Sequence, residues 1–158
     1  AEAALRGWTE DDPETHYLNG IRAAHEFLGV SSADTRAYLG HEKVQFKGSD
    51  TEKLGKIITE KYLNFFMQGG NEAYFELRRT GYPDFSAYLT HNTDQIYNDG
   101  YLPLRYRYPQ SEIDNNNAQV SEAIKRLDKG DDRNSRMWLL QGSDPLFNPA
   151  PFPFRYKN

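Results

Sequence analysis

Residues 51–67, TEKLGKIITEKYLNFFM, constrain the fold more than any other stretch of the chain. Leu54, Ile57, Ile58, Tyr62, Phe65 and Phe66 recur at helical spacing, with Lys and Glu on the opposite face. The spacing predicts an amphipathic helix over 51–67, with Asp50 or Thr51 as its cap. After the QGGN break a shorter helix is expected over 72–79, capped by Asn71. Helix, short Gly-rich loop, helix is the grammar of antiparallel helical pairs.

Upstream residues speak the same grammar. Residues 13–28 read as a helix, with Asp12 as N-cap, Pro13 at the first helical position and Glu14 facing the positive end of the dipole. Tyr17, Ile21, Ala24 and Leu28 form its apolar stripe, and Gly29 stops it. Residues 31–40, SSADTRAYLG, repeat the pattern in miniature, with a Ser cap and a Gly stop. AEAALRGW, at the start, is a helix-forming run without a cap that ends at Gly7. It leads us to expect that the chain was cut from the C-terminal part of a longer polypeptide. No repeat of fixed period is evident.

From residue 82 onward the texture changes. Seven of the eight prolines and seven of the eleven tyrosines lie there. A long irregular region is expected, interrupted by one helix near 116–129 with an Asn cap, Val120, Ile124 and Leu127 in register, and Gly130 as the stop. The Pro- and Phe-rich tail DPLFNPAPFPFRYKN is too apolar for a free linker and reads as an extended strap. The expected division is a helical portion, 1–81, and a loop-rich portion, 82–158.

Composition narrows the function classes. With 158 residues, the chain can bury a real core. Nineteen basic against 23 acidic residues, net −4, give no general field for nucleic acid. No apolar run in these 158 residues is long enough to span a membrane, and none of them reads as a signal peptide. There is no cysteine, hence no disulfide framework, thiol nucleophile or Cys-based zinc site. His16 and His25, nine residues apart, do not share a metal-binding face. Neither they nor His41 and His91 sit in a metal motif, so no metal or cofactor is expected. The acidic stretches DNNNAQ and DKGDDRN lack the order of a calcium loop and read as a helix cap and a polar loop.

Two stretches could carry chemistry. In NEAYFELRRTGYPDF, residues 71–85, Glu72 and Glu76 lie one helical turn apart, as a glycosidase-type acid and base might. Arg78 and Arg79 occupy the last turn, where cations favour the negative end of the dipole. The plainer reading is a structural polar cluster of Glu72, Glu76, Arg78, Arg79 and Glu112, with an arginine paired to a carboxylate such as Glu72 or Glu112. Thr80 to Pro83 would then be the bend into the irregular half. Further on, GYLPLRYRYPQSEIDNN alternates Leu104, Tyr106 and Tyr108 with Arg105 and Arg107, as an extended segment with Tyr on one face and Arg on the other would. Arg–Glu packing within the domain explains it better than nucleic acid does.

Taken together, AEAALRGW, YLNGI, KIITEKYLNFFMQGGNEAYFELRRTGYPDF, LPLRYRYPQSEIDNNNAQ and the late MWLL resemble the C-terminal region of the SusD/RagB family, closest to its SusD-like branch. The resemblance implies a mainly α fold of tetratricopeptide-like helical pairs with a long irregular C-terminal half. It implies a surface-exposed outer-membrane lipoprotein that binds oligosaccharide or another nutrient, without catalysis, and delivers it to a SusC-like TonB-dependent transporter. The lipidated cysteine and the N-terminal part of the pattern lie outside this sequence. No motif here carries over a ligand-binding residue, and Trp8, Tyr101 and Trp138 are each expected to be a buried structural ring. Two other readings stand beside this one. A glycan-active hydrolase or accessory domain would rest on Glu72 and Glu76, and a helical protein-interaction scaffold on the amphipathic helices alone.

Overall fold

The computed structural model describes residues 1–84, 103–135 and 137. Tyr101, Trp138 and the tail expected to form a strap lie outside the described residues. The chain divides into two compact units, Ala1–Leu77 and Arg78–Asn158. Among the described residues there are seven helices and no strand, so the fold is mainly α.

The first unit holds α1 (Glu2–Leu5), α2 (Pro13–Phe27), α3 (Ser32–Gly40) and α4 (Asp50–Asn64). Helix α5 (Glu72–Thr80) begins in this unit and runs across the boundary. Asp12 caps α2 by accepting from the Thr15 N–H at 2.8 Å, with Pro13 at the first helical position. At the other end Gly29 adopts φ +72°, which lets its N–H reach the Glu26 carbonyl while the Val30 N–H reaches His25. Those two bonds satisfy carbonyls that the helix leaves open, in a conformation that a side chain would strain. Gly7 closes α1 in the same way.

Ser31 caps α3 as expected, but Gly40 is the last helical residue and His41 follows it in extended backbone. The start of α4 differs too. Its cap is Ser49, whose side chain accepts from the Glu52 N–H while Glu52 bonds back to the Ser49 N–H at 2.7 Å. This reciprocal arrangement satisfies two open donors at once, which neither Asp50 nor Thr51 could do, since Lys53 and Leu54 stand three residues on from them.

The core of the first unit is Tyr17 and Ile21 of α2 with Val44 and Phe46 from the connection between α3 and α4. Tyr38, Leu39 and Ile57 pack against it. Tyr17 and Phe46 stack with centroids 4.9 Å apart, and the Tyr17 hydroxyl donates to the Val44 carbonyl at 2.8 Å. Lys56 closes the connection from above by donating to the Gln45 and Lys47 carbonyls. The apolar face expected over 54–66 is only partly used. Ile58 is fully buried, whereas Tyr62 and Phe66 are exposed, Phe66 at 74%. The helix ends at Asn64, so Phe66 lies beyond it, whereas Tyr62 is exposed within its last turn.

In the second unit, α6 (Gln110–Asn115) and α7 (Asn117–Lys125) pack on one another. The helix expected near 116–129 is α7, which starts after Asn116 and ends four residues earlier than expected, and α6 is a further short helix just ahead of it. Gly130 has a positive φ but lies five residues beyond the end of α7, in a separate turn. Val120 is buried, with Ile124 and Leu127 half-buried. No helix among the described residues is long and apolar enough to cross a membrane.

Candidate functional site

A cleft of about 360 Å³ lies between α2 and α4 in the first unit, with Tyr38 of α3 on its wall. Its α2 side is the stripe read in the sequence, Tyr17, Ile21, Ala24 and Leu28, with Gly20 beside it. Ile57, Glu60 and Leu63 face it from α4. Glu60 is the polar centre. Tyr38 Oη donates to both of its carboxylate oxygens at 3.0 Å. His25 lies against the Tyr38 ring, centroids 4.9 Å apart, and its Nδ1 is 3.1 Å from Thr35 Oγ1.

Burial pushes Glu60 above the ordinary carboxylate range, against the opposing effects of the Tyr38 hydrogen bond and the charge of His25. Burial, reinforced by Glu60, pushes Tyr38 up to about 12. Burial and the same neighbours also raise Tyr17. The tyrosines therefore stay protonated and act as donors. Glu60 is held by a single donor in an apolar setting, which suits a polar anchor. A nucleophile or acid–base pair would need a second group facing the same point.

The second unit is organised around Arg105 and Asp131. Their ion pair measures 2.6 Å between Nη1 and Oδ1, and both side chains are at most 10% exposed. Arg105 also donates to the Asp132 carbonyl at 3.3 Å and lies over the Tyr108 ring, 5.0 Å from its centroid. Asp131 accepts the Tyr108 N–H at 3.1 Å, and Arg107 approaches its other oxygen at 3.6 Å. The 103–108 segment is thus no strand with a Tyr face. Arg105 is buried and Tyr106 is 56% exposed, because the charged group found a carboxylate and the ring did not find a core. Burial alone would raise Asp131, but the Arg105 hydrogen bond, the Tyr108 N–H and the two arginine charges hold it below its ordinary value.

Of the residues singled out in the sequence, Glu72, Glu76, Arg78 and Arg79 lie on α5 and Glu112 on α6. Glu76 is drawn to Lys61 of α4, 3.3 Å away, so it ties α5 to α4. Glu72 is exposed in the first turn of α5, and Glu112 is exposed in the first turn of α6. Arg78 is half-buried and approaches Met137 Sδ at 3.4 Å. Arg79, in the last turn of α5, is exposed. The helix gives way at Gly81, where the Tyr82 N–H donates to the Thr80 hydroxyl at 3.2 Å. Trp8, expected to be buried, is exposed instead and lies against Arg6, whose guanidinium carbon is 5.5 Å from its ring centroid. No group of three or more metal-binding side chains occurs among the described residues.

Sequence reasoning missed Glu60, Asp131 and the buried pair Val44 and Phe46. A signal existed for the last: Val44 and Phe46 alternate with Lys43, Gln45 and Lys47, the period of a segment with one face buried. Glu60 and Asp131 had no such signal, since each looks like one more charge on a helix or loop.

Residues 1–109 match the profile of the SusD-like family described as starch-binding and associating with the outer membrane. The chain belongs to the SusD-like family. Solved structures agree. A SusD homologue from Bacteroides fragilis NCTC 9343 is 34% identical, with a TM-score of 0.72 over 87% of this chain and 32% of its own. A second homologue from the same strain is 33% identical, with a TM-score of 0.70 over 87% of this chain and 31% of its own. A Bacteroidetes SusD-like protein is 29% identical, with a TM-score of 0.75 over 87% and 27%. No curated protein matches. The chain spans about a third or less of the length of these SusD-like relatives.

Proposed function

We propose that this chain is the C-terminal part of a surface-exposed lipoprotein of the outer membrane. In this reading the whole protein binds oligosaccharide and hands it to a SusC-like TonB-dependent transporter without chemical change. The observation that carries the reading is the match of residues 1–109 to a starch-binding, outer-membrane-associated family. The side chains support a non-catalytic role. Glu76 is held by Lys61 and Glu72 is exposed, so the two carboxylates nominated as acid and base meet different surroundings. The lipid anchor and most glycan contacts would lie outside these 158 residues.

The test uses the full-length gene product with malto-oligosaccharides. We expect saturable binding, recovery of the oligosaccharide intact, and co-purification with a TonB-dependent transporter from outer membranes. Shortened oligosaccharides that disappear with Glu72→Gln or Glu76→Gln would replace this reading with the hydrolase. Peptide binding without glycan binding would favour the scaffold.

A further inference from the structure

A second groove, of about 490 Å³, lies between α2 and α3 and shares no lining residue with the cleft at Glu60. Val30 and Leu39 are apolar members of its wall, and Arg22, Glu26 and Arg36 are its charged ones. Arg22 and Glu26 belong to α2 and Arg36 to α3, so cations reach the groove from both helices.

These charges are not neutralised within the chain. Arg22 and Glu26 stand one helical turn apart, a spacing at which opposite charges ordinarily pair. Arg22 Nη1 donates to Asn19 Oδ1 at 3.0 Å instead. Among the described residues neither the Glu26 carboxylate nor the Arg36 guanidinium has an ion pair or a hydrogen bond.

A single exposed charge is well served by water. Two guanidinium groups and apolar side chains lining one concavity offer more, because an entering carboxylate meets forked donors where part of the water has been displaced. Glu26 discriminates among anionic ligands. A phosphate, a nucleic acid backbone or an anionic lipid surface brings it no donor and repels it. A polypeptide brings carboxylates for the arginines, an apolar side chain for Val30 and Leu39, and backbone N–H groups for Glu26.

We infer that the α2–α3 groove docks an extended acidic segment of a separate protein. Two of its carboxylates pair with Arg22 and Arg36, and an apolar side chain between them packs on Val30 and Leu39. The inference rests on the charges of the groove and does not depend on the nutrient-binding reading.

The test selects a random peptide library displayed on phage against the immobilised full-length gene product. We expect the enriched peptides to carry Asp or Glu on either side of an apolar residue. A fluorescein-labelled copy of the most enriched peptide should bind at least about tenfold more weakly to the Arg22→Glu and Arg36→Glu variants, and more weakly in high salt. Both arginines are exposed, so circular dichroism should show unchanged helicity in each variant. Lys43→Glu makes the same charge change at an exposed position outside the groove and should leave binding as it was. A library that yields no consensus, or a neutral or basic one, overturns the inference. So does an acidic consensus whose binding survives both arginine variants or falls equally with Lys43→Glu. No enrichment together with Arg36-dependent binding to phosphatidylglycerol vesicles would assign the groove to a lipid surface instead. Oligosaccharide binding is not a readout, so a failed nutrient-binding reading would leave the result unaffected.

Discussion

Asp131 and Glu60 are two carboxylates whose surroundings push them in opposite directions. Asp131 is depressed below its ordinary 3.8, so the stability it contributes is present above that value and lost as pH falls through the lower, folded one. Removing it would leave Arg105 buried without its main partner. Both side chains keep a little exposure, 7% and 10%, so Asp131→Ala is expected to cost about 2–3 kcal/mol, between the exposed and fully buried cases. Urea unfolding followed within the second unit checks this, and a cost below half of that would place the pair at the surface. Glu60 is raised above its ordinary 4.5, so its contribution is fully present below 4.5 and lost as pH rises through the folded value. Glu60→Gln retains an acceptor for Tyr38 and removes the buried charge. The variant should be more stable than the parent near neutral pH, and the advantage should vanish in acid. An unchanged pH profile would contradict the burial of Glu60.

At the scale of elements, close approaches and caps set the helix ends. A Cβ at Gly69 would lie 2.6 Å from the Phe65 Cβ, at the root of a side chain where little can give. Gly69→Ala should therefore cost about 1–3 kcal/mol in chemical denaturation. Gly20→Ala, by contrast, should stabilise the short chain by about 0.5–1 kcal/mol, since its Cβ meets open space. Equal effects at the two positions would refute this contrast.

The same elements show what could be read beforehand. Asp12, Pro13 and Gly29 announced α2 because local hydrogen bonding decides where a helix begins and ends. The true cap of α4 was legible in the Ser49–Glu52 spacing but was assigned a residue or two late. The aromatic face of α4 was overread, because periodicity reports which residues could be buried, and only tertiary packing decides how far a stripe is covered. Long-range partners left least trace. Nothing near Arg105 points to Asp131, 26 positions away, and nothing near Glu76 points to Lys61. Helix α6 left little trace, because Ile113 is the one apolar residue among its six.

For the whole molecule, two kinds of statement have different support. Membership of the SusD-like family rests on a match over most of the chain and on structural agreement over 87% of it. Nutrient binding is a property proposed for a protein about three times as long, of which these residues supply helical framework. The cleft at Glu60 is an anchor within that framework, so we do not expect it to hold the oligosaccharide. The measurement that tests this most directly is titration calorimetry of malto-oligosaccharide into the full-length gene product and, in parallel, into the 158-residue chain. The account predicts saturable heat with the full-length protein and none that saturates with the short chain. Micromolar binding by the short chain, or none by the full-length protein, would contradict it.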